Sequence, residues 1–181
     1  MTNDQLLDQL IEDTHKLITF VKEHFNDLIL EQVNAQPLKN EWTVGQCFEH
    51  LLLSGNPYLE RLDKALDVAP KANRKFKQTF IGKLMLPYIG PNPPFRTPVP
   101  PVMQPKEKSH TIEVIHQFIE QQHSLLHLLE KAKGKDVASV KITSPFSRLL
   151  RLNIGDCFLI LNKHGWRHVL QAKTILDAIH N

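Results

Sequence analysis

An all-α four-helix bundle with a long proline-rich crossover between helices two and three is the architecture the sequence predicts, and three observations point to it. Apolar residues recur at intervals of three and four through four long stretches. Eight of the twelve prolines fall within residues 87–105, between the second and third of those stretches. At 181 residues the chain can bury one core without disulfides or a structural metal, so a single domain over 1–181 is expected.

The first helix is expected over residues 4–33, where Leu6, Leu7, Leu10, Ile11, Leu17, Ile18, Val21, Phe25, Leu28 and Ile29 share one face. "AQPLKNEW" interrupts it. In "TVGQ", Thr43 and Gln46 form a capping-box pair that opens the second helix, expected to run to about residue 66. Pro57 in "SGNP" predicts a kink near Gly55, since proline removes one backbone hydrogen bond. "RKFKQTFIGKLML", residues 74–86, predicts a short basic amphipathic helix.

From residue 87 to 109 an ordered crossover is expected, too rich in proline for regular helix or central strand. "PVPPVMQP" also has the composition of a polyproline ligand, but its place between two helical stretches favours a loop packed along the bundle. The third helix is expected over 111–133, with Ile112, Ile115, Ile119, Leu126 and Leu129 as its core stripe and Gly134 beyond its end. Residues 137–151 read as irregular or briefly extended. Asn153 then caps a last helix, with Asp156 in its first turn, running to about residue 179.

Composition excludes several classes of function. Hydrophobic residues make up 41% and charged residues 23%, which argues against disorder, and 22 basic against 19 acidic residues do not mark a nucleic-acid binder. The N-terminal "MTNDQLLDQLIEDTHKL" is acidic where a signal peptide would be basic, and no apolar run reaches the length of a membrane span. With Cys47 and Cys157 as the sole cysteines, a cytoplasmic, reduced protein with no membrane or nucleic-acid partner is expected. There is no glycine-rich phosphate loop, no GxSxG and no HExxH, because "HGWRH" lacks the glutamate of that motif.

The last helix presents Ile154, Cys157, Leu161, His164, His168, Gln171 and Ile175 on the stripe that faces the interior. Two imidazoles thus stand where a bundle prefers leucine, and each needs partners or costs roughly 1–3 kcal/mol. Spaced about 6 Å along the axis, they can converge on one divalent ion at about 2.1 Å. A third ligand must come from another helix, and His50 in "CFEHLLLSG" is the best candidate. Three histidines would leave coordination positions for water or substrate, as in a catalytic site.

His123 and His127 have the same spacing, with His116 seven before His123, but all three project about 100° from their helix's core stripe and read as solvated. His15, His24, His110 and His180 have no helical partner and read as surface residues. Cys47 and Cys157 are spaced so that a thiolate could complete a mixed site, but free cysteine more often packs as a small apolar residue.

"EWTVGQCFEHLLLS" at 41–54 and "HGWRHVLQA" at 164–172, an HxxRHxxQ pattern, resemble the DinB-like family, including its branch of metal-dependent hydrolases and low-molecular-weight-thiol S-transferases. The resemblance implies His50, His164 and His168 as the metal triad, nickel or zinc as the ion, and a homodimer. It implies for Arg167 a structural ion-pair or dimer role, and for Gln171 the orienting of a ligand or bound water. The implied chemistry is a metal lowering the pKa of a bound thiol or water for attack on an electrophile. Thiol S-transfer is the expected version, with hydrolysis or a non-catalytic stress-response role as alternatives. Lys71, Arg74, Lys75, Lys77 and Lys83 read as a solvated face, with attraction of an anionic cosubstrate as the functional alternative. A membrane-surface helix, with Phe76, Phe80, Leu84 and Met85 opposite the lysines, is a further reading of the same segment.

Overall fold

Thr2 opens the first helix with a capping box: its hydroxyl accepts from the Gln5 amide while the Gln5 side chain accepts from the Thr2 amide. In this computed structural model, which describes residues 1–36, 41–95 and 98–180 without the side chain of residue 180, helix α1 spans Asn3–Phe25. The expected helix over 4–33 is two helices, because Asn26 and Asp27 form a turn and Ile29 restarts the chain as the N-cap of α2, Leu30–Asn34. Part of the expected interruption, 37–40, lies outside the described residues.

Helix α3, Val44–Val68, begins with the Thr43–Gln46 capping box and continues unbroken through Gly55 and Pro57. Residues 74–79, expected to be helical, form no helix and carry an isolated bridge at Lys75 instead. Lys75 bridges to Thr2, the Asn3 amide donates to the Arg74 carbonyl and the Phe76 amide to the Met1 carbonyl, so pairing with the N-terminus overrides the local helical pattern. The helix, α4, spans Phe80–Ile89. Its N-cap Thr79 accepts from the Gly82 amide and donates through both N–H and O–H to the buried Asp156 carboxylate, at 3.0 and 2.6 Å.

Pro87 lies within α4, against the expectation that helix stops before it; in the final turn its missing N–H costs a single bond. The crossover therefore starts at Gly90 rather than at 87 and includes a 3-10 turn, Pro101–Met103; residues 96–97 of it lie outside the described residues. Helix α5 spans Glu113–Ala132, and Gly134 beyond it takes the left-handed φ of 72° that a side chain would strain. Ile112 and Leu126, expected in its core stripe, are half-buried, while Val114, Phe118, Leu125 and Leu128 are buried.

An all-α chain was expected, and the structure is mostly helical with one small sheet. Strands β1, Lys141–Ser144, and β2, Ser147–Asn153, pair antiparallel with Lys141 opposite Asn153 and an irregularity at Thr143 and Ser144. Ile142 and Leu152 face inward, and Leu149 points to solvent at 91% exposure. Helix α6, Ile154–His180, follows directly, with Asn153 accepting from the Asp156 amide at 2.7 Å.

Helix α3 packs on α5 and α6, α1 lies across the same two helices, and α4 and β2 rest on α6. The core forms two apolar clusters, one around Leu7, Leu62, Leu66, Leu129 and Phe158, the other around Val21, Phe25, Phe48, Phe118 and Val169. Each long helix passes from one cluster to the other through buried polar residues: Thr14 on α1, His50 and Ser54 on α3, Gln121 and Gln122 on α5, Asn162 and His168 on α6. Among the described residues, no helix is long and apolar enough to cross a membrane.

Candidate metal centre

The polar layer between the two apolar clusters contains three imidazoles on two helices. His50 projects from the second turn of α3, and His164 and His168 stand one turn apart on α6. Their ring centroids lie 4.5–5.0 Å apart, and one nitrogen from each falls within 4.8 Å of the others, a group that could hold a metal ion. Trp42, just before α3, lies against two of them, its ring 5.0 Å from His50 and 5.7 Å from His168.

Hydrogen bonding assigns most of the ring protons. His50 Nδ1 lies 2.7 Å from the Met103 carbonyl, which can only accept, so that nitrogen carries the proton and Nε2 keeps its lone pair. His168 Nδ1 donates to Gln171 Oε1 at 2.8 Å, with the same result. His50 Nε2 and His164 Nε2 are 3.0 Å apart, so His164 must donate to His50 there. His164 Nδ1 is buried and has no hydrogen-bond partner among the described residues, although the Ile89 carbonyl lies close enough to favour the charged ring.

The environment keeps all three rings neutral. Burial pushes each pKa below the ordinary imidazole value, and the positive Arg167 acts in the same direction on every one. His168 is brought down to about 3, chiefly by burial and then by His50. Neutral imidazoles are the ligand form, so the donor set suits a borderline divalent ion.

The group borders a cleft of about 320 Å³ between α3, α4, the crossover, the hairpin and α6. Met85, Ile89, Met103, Phe146, Leu150 and Ile160 make its walls largely apolar. Arg167 lines it too, and its guanidinium donates to the Tyr88 carbonyl at the end of α4. Tyr58, buried in the cleft wall, donates to Ser144 Oγ at 2.8 Å.

Gln171 was expected on the core-facing stripe and is exposed, yet its side chain reaches back one turn to His168. His123 and His127 are exposed, and His116 is half-exposed beside Glu113. His15 is exposed, His24 half-buried against Phe20, and the side chain of His180 lies outside the described residues. His110 overturns its expectation as a surface residue. It is 8% exposed, with Nε2 2.9 Å from the Glu49 carboxylate, its backbone tied to the Asn34 side chain, and its ring packed over Gly45 where a Cβ would be 2.7 Å away. Cys47 and Cys157 are fully buried in the two apolar clusters, and burial pushes both thiols up, away from the thiolate a metal would need.

Sequence reasoning did not find the Met103 carbonyl that orients His50, the Ile89 carbonyl beside His164, or the hairpin side chains that wall the cleft. A backbone carbonyl carries no residue signature, so no signal pointed to the first two.

A family model described as the DinB superfamily matches residues 14–172, so the chain belongs to the DinB superfamily. No curated protein and no solved structure gives a significant match.

Proposed function

From membership in the DinB superfamily and the three converging imidazoles, we propose that this protein holds one divalent ion, nickel or zinc, on Nε2 of His50, His164 and His168. The observation that carries this reading is the three neutral rings with nitrogens within 4.8 Å of one another, two of them with Nδ1 already engaged by an acceptor. When bound, such an ion supplies Lewis acidity that makes a thiol or water available as an anion near neutral pH. In the chain itself, Met103 and Gln171 fix the orientation of His50 and His168, and His164 transfers its proton from Nε2 to Nδ1 to offer the third lone pair. The apolar walls of the cleft lower the local polarity beside the rings, and Arg167 holds positive charge there.

The reaction proposed is transfer of a low-molecular-weight thiol to an electrophilic small molecule seated in the cleft, within a four-helix bundle with a crossover that assembles as a homodimer. Hydrolysis is the second reading, favoured by the same open cleft, which has room for water as well as a thiol. The test is elemental analysis of metal-reconstituted wild type beside His50→Ala, His164→Ala and His168→Ala, followed by thiol-consumption assays with a general electrophile. One ion per chain in the wild type and its loss in all three variants is the expected result. Full stoichiometry in the variants overturns the triad, and bound metal without thiol consumption overturns the transferase.

A further inference from the structure

Two stretches of sequence that contribute residues to the cleft wall have an unusual charge pattern. Residues 68–106, which contain α4 and most of the crossover, and residues 137–155, which contain the hairpin, carry ten of the 22 lysines and arginines and none of the 19 aspartates and glutamates. The net charge of +3 is therefore unevenly distributed along the chain. Among the described residues that line the cleft there is no aspartate or glutamate and the one permanent charge is Arg167, while most of the wall is aliphatic, aromatic or thioether. A volume of about 320 Å³ places it at the small end of ligand sites.

We propose that the cleft binds an apolar molecule bearing a single anionic group, with the apolar body against Met85, Phe146 and Leu150 and the anion at the Arg167 guanidinium beside the histidines. The Arg167 charge, with no carboxylate among the described lining residues, favours such a ligand over its cationic counterpart. The cleft wall desolvates the body, and a charge-assisted hydrogen bond holds the anionic end. This names the substrate class of the site proposed above and rests on that reading for its chemistry, but binding itself needs no metal.

Adjacent residues of β2 supply an internal control, because Leu150 lines the cleft while Leu149 points away at 91% exposure. Calorimetric titration of the metal-free, full-length protein would use decanoate, decanol and decyltrimethylammonium below their micellar concentrations. Decanoate is expected to bind one per chain, about tenfold more tightly than decanol, with the cation not binding. Arg167→Gln is expected to abolish the preference for decanoate over decanol while decanol still binds. Leu150→Asp is expected to weaken decanoate at least about tenfold, and Leu149→Asp to leave it unchanged. Circular dichroism confirms that each variant is folded, and Arg167→Lys, which keeps the charge, is expected to retain the preference. Equal affinity for decanoate and decanol, or equal weakening by Leu149→Asp and Leu150→Asp, overturns the proposal. Metal reconstitution of the same preparations separates the two readings: uptake of one ion by protein that does not bind decanoate removes this one alone, and decanoate binding by protein that takes up no ion on reconstitution removes the other.

Discussion

Of the three imidazoles, His164 alone has no geometric acceptor at Nδ1, while His50 and His168 are oriented by Met103 and Gln171. Gln171→Ala should therefore leave the ring of His168 in place but free to rotate, and lower affinity for the ion by about 10–100-fold without abolishing it, read by competition with a colorimetric chelator. No change in affinity would mean that packing against Trp42 alone orients the ring. The pH dependence of stability has a definite sign. All three rings bind a proton more readily in the unfolded chain, near pH 6.5, than in the native protein, so the unfolded state takes up more protons on acidification. Stability of the metal-free protein should fall as pH drops below about 6.5, the His168 contribution continuing down to about 3. Urea midpoints at pH 7 and pH 5 check this, with His168→Gln expected to lose less between the two; identical slopes would contradict it. At this scale the triad was legible, because two histidines on a core stripe and one on a facing helix are a pattern in side-chain identity. His110 was not, since it lies in a loop and its burial depends on Gly45 and Glu49 of α3.

The elements divide by how local their causes are. Capping boxes at Thr2 and Thr43, the Asn153 cap and the glycine at 134 act within a few residues, and the helix ends they govern fall where local chemistry puts them. The segment over 74–79 and the hairpin depend on distant partners, the N-terminal residues and the second strand, and local periodicity misplaced the one and left the other vague. Helix α4 depends on Asp156, which caps its start through Thr79 and packs where a Gly82 Cβ would lie 2.4 Å from the carboxyl carbon. Gly82→Ala should force α4 away from α6 and cost about 1–3 kcal/mol. A lower thermal midpoint, with amide exchange accelerated first within residues 80–89, is the expected result; an unchanged midpoint would show that Asp156 can turn aside.

Across the whole molecule, the core is two apolar clusters joined through a polar layer, an arrangement that stabilises less than continuous leucine packing would. A ligand bound only by the native layer offsets that deficit by mass action. Adding nickel or zinc at 100 times its dissociation constant should raise stability by about 2.7 kcal/mol, and a chelator should reverse it. Thermal melts with and without the ion, repeated on the His164→Ala variant, check this; an equal rise in the variant would place the ion elsewhere. The sequence alone determined the long helices, most of their ends and the positions of the candidate ligands, because caps and 3.6-residue periodicity act over a few residues. Only the tertiary structure decided that 74–79 is not helical, that His110 is buried and that α4, the crossover and the hairpin enclose a cleft beside the histidines. Each of those follows from contacts between residues dozens of positions apart, which hydrophobic spacing along one segment does not encode.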